Sequence, residues 1–189
     1  AEAGLPAADH TEGALRWIHD PAYVERVRQA SAAAPTVVDS QDCPVSIGSF
    51  DAAAAAAGLA LAAALDMANG RLWRAFLALR PPSHHARRDR AAGFCLFNSV
   101  ALAAEVLVRA WNQPVLVVDF DAEHGAGTQE HFYHRGDVGY VSVHRWPTLS
   151  GAGGGDEVGS GRGRGMTRNV PVAAGSGDAW TVVDPTDVR

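Results

Sequence analysis

The segment PVLVVDFDAEHG, residues 114–125, decides the fold class of this chain. Its first part, residues 114–120, is a near-continuous run of Val and Leu. Such a run predicts a strand that is covered on both faces, as in parallel sheets. Charged residues follow it directly, and a charge next to a buried strand needs a partner or a bound metal ion. The segment therefore predicts a buried strand that delivers polar groups to one edge of a sheet.

The neighbouring segments extend this strand into an alternating α/β pattern. Short apolar runs predict further strands at 75–79, 138–143 and 169–172. Helical spacing of apolar residues predicts helices at 98–110 and 128–133. The order strand, helix, strand, helix, strand predicts a mostly parallel α/β sheet with flanking helices.

The part of the chain before this pattern is predicted to be helical. Apolar residues recur at helical spacing over residues 15–27, around a turn at Pro21. A second helix is predicted to have Ser49 as its N-cap and to stop at Asn69-Gly70.

Composition limits the class of protein and its partners. The 189 residues are 47% hydrophobic and 20% charged, which is typical of one globular domain. The net charge of −5 argues against nucleic acid as a partner. Cys43 and Cys95 form no disulfide framework, so we expect a reducing, cytoplasmic location. The apolar stretch 52–65 is too short to span a bilayer, so we expect no membrane association.

Reactive side chains follow three consecutive predicted strands. His84 and His85 come after the first strand, Asp119 and Asp121 end the second, and His144 ends the third. Ligands of parallel sheets bind beyond the carboxyl ends of the strands. We therefore expect these groups to meet in one crevice, where adjacent imidazoles suit proton transfer. An isolated His-His pair is otherwise more often an incidental part of a solvated loop.

The three carboxylates after the central strand allow two interpretations. Asp119, Asp121 and Glu123 are two residues apart, so in an extended segment they share a face. Three such carboxylates repel one another, and a divalent metal ion would relieve that repulsion. Alternatively, they cap the next helix.

Three other features favour structural interpretations. The glycine-rich stretch 150–165 is interpreted as a flexible loop, because no helix follows it as a dinucleotide site requires. His131 and His134 are interpreted as part of a solvated helix face. Cys95 is interpreted as a small core residue rather than a nucleophile.

Several motifs in a set order resemble the histone deacetylase and acetylpolyamine amidohydrolase family. The resemblance covers about residues 19–178, within a single, partial domain that spans residues 1–189. The motifs are HDPAYVERVR (19–28), DSQDCP (39–44), RPPSHHA (80–86), GFCLFN (93–98), VVDFDAEHGAGTQ (117–129), DEVGSGRGRG (156–165) and NVPV (169–172).

The resemblance implies a three-layer fold of the arginase/deacetylase type and zinc-dependent hydrolysis of acetyl-lysine or acetylpolyamine amides. It implies K⁺ as a second, monovalent cation. The matching residues are His84 and His85 as the catalytic pair, Asp119 as the residue that orients His84, Asp121 as a zinc ligand with Glu123 beside it, Asp119, Asp121 and Ser142 at the monovalent cation, Asp42 at the substrate rim, and Gly93, Phe94 and Leu149 along the acyl tunnel.

This sequence departs from the family pattern at the metal and around it. Glu123 stands where the family has a His ligand, and Ala126 where it has an Asp or Asn that orients the second catalytic His. Leu149 replaces an aromatic tunnel residue. The pattern stops near Asp178, so the third metal ligand and the oxyanion Tyr of the C-terminal part have no counterpart. The domain is therefore expected to be C-terminally truncated, and residues 180–189 do not have the expected helical pattern.

Two functions from different classes follow. The first is a metal-dependent deacylase with an altered and incomplete metal site, weak or inactive as this chain alone. The second is a non-catalytic homologue that binds a ligand or a partner. A homo-oligomer that completes the site is left open.

Overall fold

The computed structural model describes residues 10–177, which form five α-helices and two small β-sheets. The helices are α1 (Thr11–Leu15), α2 (Pro21–Ala32), α3 (Ser49–Ala68), α4 (Ser99–Trp111) and α5 (Ala126–Phe132). The strands are β1 (Thr36–Val37), β2 (Pro44–Val45), β3 (Val115–Asp119), β4 (Val138–Trp146) and β5 (Thr167–Ala173), and a 3₁₀ turn covers Gly161–Gly163.

The main sheet has the order β3-β4-β5, and both pairings are parallel. This confirms the predicted α/β class. The register places Asp119 of β3 opposite Ser142 of β4, and Ser142 opposite Asn169 of β5. Polar residues of three strands therefore lie side by side. Strands β1 and β2 form a separate antiparallel pair.

The helix ends follow from local sequence. The helix α4 begins where the Asn98 side chain accepts a hydrogen bond of 3.0 Å from the Ala101 amide. The helix α3 begins one residue earlier than predicted, because Gly48 at φ +89° is its N-cap and Ser49 is its first residue. It ends at Ala68, as the Asn69-Gly70 signal predicted.

The core lies between α3, α4 and β3. The apolar faces of α3 and α4 pack on each other, and α4 packs on β3. By length and composition alone α3 could cross a membrane, yet Leu61 and Ala57 are fully buried as in a core helix. Cys43 and Cys95 are buried free thiols, which confirms the core interpretation of Cys95.

The predicted strand at 75–79 is wrong. These residues are in no strand, and Phe76 is 92% exposed. An apolar run forms a strand only beside a partner with free backbone groups, and none of the described strands pairs with it. His84 and His85 therefore follow a largely exposed segment that is in no strand.

The strand β3 is covered on one face only. Val115 and Val117 pack against the core, whereas Leu116 and Val118 are 62% and 56% exposed. The prediction of two covered faces is wrong for the described residues, because α4 covers one face and no described element covers the other. The Val/Leu run thus predicted the strand but not its surroundings.

Candidate functional site

The centre of the site is the contact between His84 and Asp119. His84 Nδ1 lies 2.9 Å from Asp119 Oδ2, and both side chains are largely buried. The His84 carbonyl accepts a hydrogen bond of 3.0 Å from the Thr128 amide, which fixes the loop to α5. The rings of His84 and His85 are 4.1 Å apart. The predicted pair and the predicted carboxylate are therefore in contact.

The two adjacent histidines have opposite pKa shifts. Burial alone would lower the pKa of His84, but the hydrogen bond and charge of Asp119 outweigh it and raise that pKa. Burial and the neighbouring His84 lower the pKa of His85. Asp121 and Glu123 act electrostatically on both rings, so the four groups share one region. Pairs of groups with separated pKa values suit acid and base roles in one reaction.

Asp119 is held by more donors than His84 alone. Burial would raise its pKa, but the hydrogen bond and charge of His84 lower it below its usual range. The buried Tyr140 donates a hydrogen bond of 2.9 Å to the same Oδ2. The neighbouring Gly125 has no room for a Cβ, which would overlap Asp119, Tyr140 and His84. A fixed carboxylate orients His84 with its Nδ1 towards Asp119.

The three carboxylates at the end of β3 and in the turn after it accept hydrogen bonds from other groups of the chain. Asp119 Oδ1 accepts a hydrogen bond from the Asp121 amide at 3.2 Å. Asp121 Oδ1 accepts one from the Glu123 amide at 2.9 Å. Glu123 Oε1 accepts one from Arg145 Nη2 at the end of β4. The polar turn thus has internal partners for all three acids.

These residues do not fit a zinc ion. Zinc in proteins takes mainly Cys and His ligands, with three or four from the protein. Among residues 10–177, no three His, Cys, Asp or Glu side chains are grouped to hold a metal ion. Glu123, expected beside the metal, is instead paired with Arg145. The metal role of Asp121 and Glu123 stays a prediction.

Asp42 is linked to the His85 ring through Gly93. Asp42 Oδ2 accepts a hydrogen bond of 2.9 Å from the Gly93 amide. A hydrogen bond from Ser40 holds the pKa of Asp42 below its usual range, against a small effect of burial. Gly93 has φ +54°, and a Cβ there would overlap the His85 ring. The glycine therefore lets this loop lie directly on the catalytic candidate.

The predicted tunnel residues lie at the surface. Phe94 is 63% exposed and lines a cleft of about 780 Å³ with Pro81 and Pro82. Leu149 is 90% exposed. Their substrate roles stay predictions. A second cleft of about 810 Å³ is lined by residues from two sides of the site, among them His84 and Asp121.

The comparisons with known proteins identify the family of this chain. A family model described as the histone deacetylase domain matches residues 2–183, nearly the whole chain. The chain belongs to the histone deacetylase family. It is 39% identical over 178 residues to a histone deacetylase-like amidohydrolase of Pseudomonas aeruginosa, covering 93% of this chain and 46% of the relative. It is 46% identical over 140 residues to an acetylpolyamine amidohydrolase of Burkholderia pseudomallei, covering 72% and 40%.

Solved structures show the same fold. The HD domain of HDA15 has a TM-score of 0.81 and 39% identity, covering 85% of this chain and 46% of that chain. An acetylpolyamine aminohydrolase from Burkholderia pseudomallei has a TM-score of 0.77 and 35% identity, covering 87% and 57%. These matches confirm the predicted family and fold class. The chain spans about half the length of these deacetylase relatives.

One group predicted for the crevice of this deacetylase homologue lies elsewhere. His144 lies inside β4 and is 2% exposed. Its Nδ1 lies 2.8 Å from Ser142 Oγ, and its Nε2 donates to the Gly153 carbonyl at 3.0 Å. The predicted convergence of three strand ends is therefore wrong for His144. Ser142 lies opposite Asp119, but its cation role stays a prediction.

Sequence reasoning missed a buried polar network beside the deacetylase-like site. His124 is 1% exposed and shares Gln129 with Asn169, at 3.0 and 2.7 Å. Gln129 in turn donates to Glu157. The motif VVDFDAEHGAGTQ contained His124 and Gln129, yet nothing in the pattern indicated that they were buried partners.

The interpretation of His131 as a solvated residue is wrong. Its Nε2 is buried, and its ring lies 5.7 Å from that of His19. Burial, with the nearby His19, lowers the pKa of His131 to about 3. Spacing of i and i+3 places His131 and His134 on one side of a helix, but it does not show whether that side faces the core or the solvent. Only His134 is exposed, and its Nδ1 contacts Ser160.

Proposed function

We propose that this chain carries the histidine part of a site that hydrolyses acetylated amines, with acetyl-lysine or acetylpolyamine amides as substrates. The observation that carries the proposal is the Asp119–His84–His85 arrangement with its opposite pKa shifts. The names of the relatives, deacetylase and acetylpolyamine amidohydrolase, support the substrate class. Nothing in the described residues supports a nucleophilic alternative, since both cysteines are buried.

The two histidines would have different roles. His85, whose pKa is lowered, would accept a proton from the water that attacks the carbonyl carbon, and would return it to the amine nitrogen as the C–N bond breaks. His84, which is held by Asp119, would stabilise the developing oxyanion, and its raised pKa favours the charged imidazole that this role needs. Ala126 offers no acceptor to orient His85, and loss of such a partner typically costs about 10- to 100-fold. We therefore expect slow turnover.

Substrate contacts would come from the loops around the pair. Asp42 is exposed at the rim and lies next to the exposed Phe94 through the Gly93 link. A carboxylate there would attract the ammonium groups of a polyamine, or accept a hydrogen bond from a backbone amide of a peptide. Zinc would supply a Lewis acid if the site took it up, but no step here depends on it. The monovalent cation at Asp119, Asp121 and Ser142 is likewise a proposal.

Hydrolysis by the purified chain tests this function. The substrates are a fluorogenic acetyl-lysine peptide and N-acetylputrescine, each with and without added zinc. We expect turnover well below the usual enzyme range of about 1–10³ per second. His85→Ala should lower it by about 100-fold or more, because a general base is lost. His134→Ala, which removes an exposed histidine, should leave it unchanged.

Two results would contradict the proposal. Equal rates for His85→Ala and the unsubstituted chain would show that the pair does not catalyse the hydrolysis. No hydrolysis above background, on either substrate, would favour the non-catalytic alternative.

A further inference from the structure

The turn after β3 contains an ion pair between Glu123 and Arg145. Arg145 Nη2 donates to Glu123 Oε1, and the side chains are 42% and 31% exposed. The Arg145 amide also donates to the Ala122 carbonyl, at 2.9 Å. The backbone of Arg145 is therefore held at the end of β4, directly beside the turn that carries Glu123.

Two of the three carboxylates of the turn are paired with basic side chains. Asp119 is paired with His84 at 2.9 Å, and Asp121 accepts a hydrogen bond from the Glu123 amide. Glu123 is paired with Arg145. The repulsion among three carboxylates was the physical reason to expect a divalent metal ion. An imidazole, an amide and a guanidinium already relieve it.

The guanidinium also opposes metal binding directly. A divalent ion that used Glu123 would have to displace Arg145 and would then lie close to its positive charge. Both effects lower the affinity of the turn for any cation. This agrees with the finding that residues 10–177 contain no grouped set of three metal-binding side chains.

We propose that Arg145 is an internal cation that takes the place of a divalent metal ion at the Asp119–Glu123 turn. The chain then has a turn that is stabilised by its own side chains and that binds divalent metal ions weakly. The acidic residue at position 123 and the basic residue at position 145 act as one unit. Removing the guanidinium alone should therefore raise the weak affinity of the turn for divalent cations.

Equilibrium dialysis of the whole chain with Zn²⁺ and Mn²⁺, followed by elemental analysis of the protein, tests this. Arg145→Gln should bind at least one of the two ions about tenfold more tightly than the unsubstituted chain, because a unit charge beside the site is gone. The matched control is Arg71→Gln, which removes the same charge from the exposed Arg71–Asp66 pair. It should leave metal affinity unchanged. Arg145→Lys keeps the positive charge, so its affinity for the two metal ions should also remain low.

Equal affinity of Arg145→Gln and Arg71→Gln would overturn the proposal, and so would tight binding of zinc by the unsubstituted chain. If Arg145→Gln does not fold by circular dichroism, NMR of the ¹⁵N-labelled arginine side chains decides. The Arg145 resonance, assigned with Arg145→Lys, should not move when zinc is added at millimolar concentration. A shift of this resonance on addition of zinc would show that the ion competes with Arg145 for Glu123 and would overturn the proposal. These measurements do not use hydrolysis, so their outcome is separate from that of the proposed function.

Discussion

Tyr140 donates a hydrogen bond of 2.9 Å to Asp119 Oδ2, the oxygen that also faces His84 Nδ1. The two donors come from different parts of the chain, one from β4 and one from the loop after Pro82. A buried carboxylate that loses a donor is left partly unpaired, and hydrogen bonds to charged groups contribute about 1.5–3 kcal/mol. Asp119 is therefore the point where the sheet and the histidine loop are joined.

Tyr140→Phe should lower the free energy of unfolding by about 1.5–3 kcal/mol, because only the hydroxyl is removed. Urea denaturation measures this change. Tyr133→Phe is the control, since that ring lies on α5's end beside His134 rather than on Asp119. Equal stability of the two variants would show that the Tyr140–Asp119 contact contributes little.

Gly93 is required both by its backbone conformation and by the His85 ring beside it. Gly93→Ala should lose about 1–2 kcal/mol from its positive φ, and about 1–3 kcal/mol more from overlap with His85. Gly151→Ala separates the two effects, because Gly151 has φ +70° and open space around its Cα. Urea denaturation of both variants measures the difference. If Gly93→Ala loses no more stability than Gly151→Ala, the His85 ring does not lie against this loop.

The central strand and its neighbours were predictable because an apolar run of this length indicates a strand without information from the rest of the chain. The Val/Leu run at β3 and the alternation of strands and helices predicted the parallel sheet correctly. The run at 75–79 is also apolar, but it consists of Ala, Phe and Leu without Val, and it forms no strand. It also has no backbone partner among the described strands, which one short segment does not reveal.

The internal partners of the site were not predictable for a related reason. Tyr140 and Ser142 are two apart on β4, so both face the same side, but only the β3–β4 register shows that Asp119 is there. Arg145 lies 22 residues after Glu123, and the approach of the two depends on the turn at Ala122. The motif predicted which residues carry chemistry, whereas the contacts determine what each one is bonded to.

Glu123→His should tighten zinc binding, because an imidazole nitrogen replaces a carboxylate and one negative charge leaves a crowded turn. The gain should be smaller than in Glu123→His/Arg145→Gln, where no unpaired guanidinium remains beside the new ligand. Zinc titration of the single and double variants, with Arg71→Gln added to Glu123→His as the control, measures both effects. Equal or weaker affinity of Glu123→His relative to the unsubstituted chain would mean that position 123 is not beside a metal site.

The buried His131 should make the chain less stable in mild acid. Burial, with the charges of His19, Arg88 and Arg135, lowers its pKa to about 3 in the folded chain, against about 6.5 when unfolded. Below pH 6.5 the unfolded chain therefore binds a proton that the folded chain does not, so stability is full above pH 6.5 and falls as the pH falls towards 3.

Between pH 7.5 and pH 5.0 this one residue should contribute a loss of about 2 kcal/mol. Urea denaturation at the two pH values measures it in the unsubstituted chain and in His131→Leu. The substitution removes the proton-binding group, so the variant should lose about 2 kcal/mol less over the same interval. Titration of other groups affects both proteins alike and cancels in the comparison. His134→Leu should keep the full pH dependence, because that side chain is exposed. A variant with unchanged pH dependence would show that His131 is protonated in the folded chain as readily as in the unfolded one.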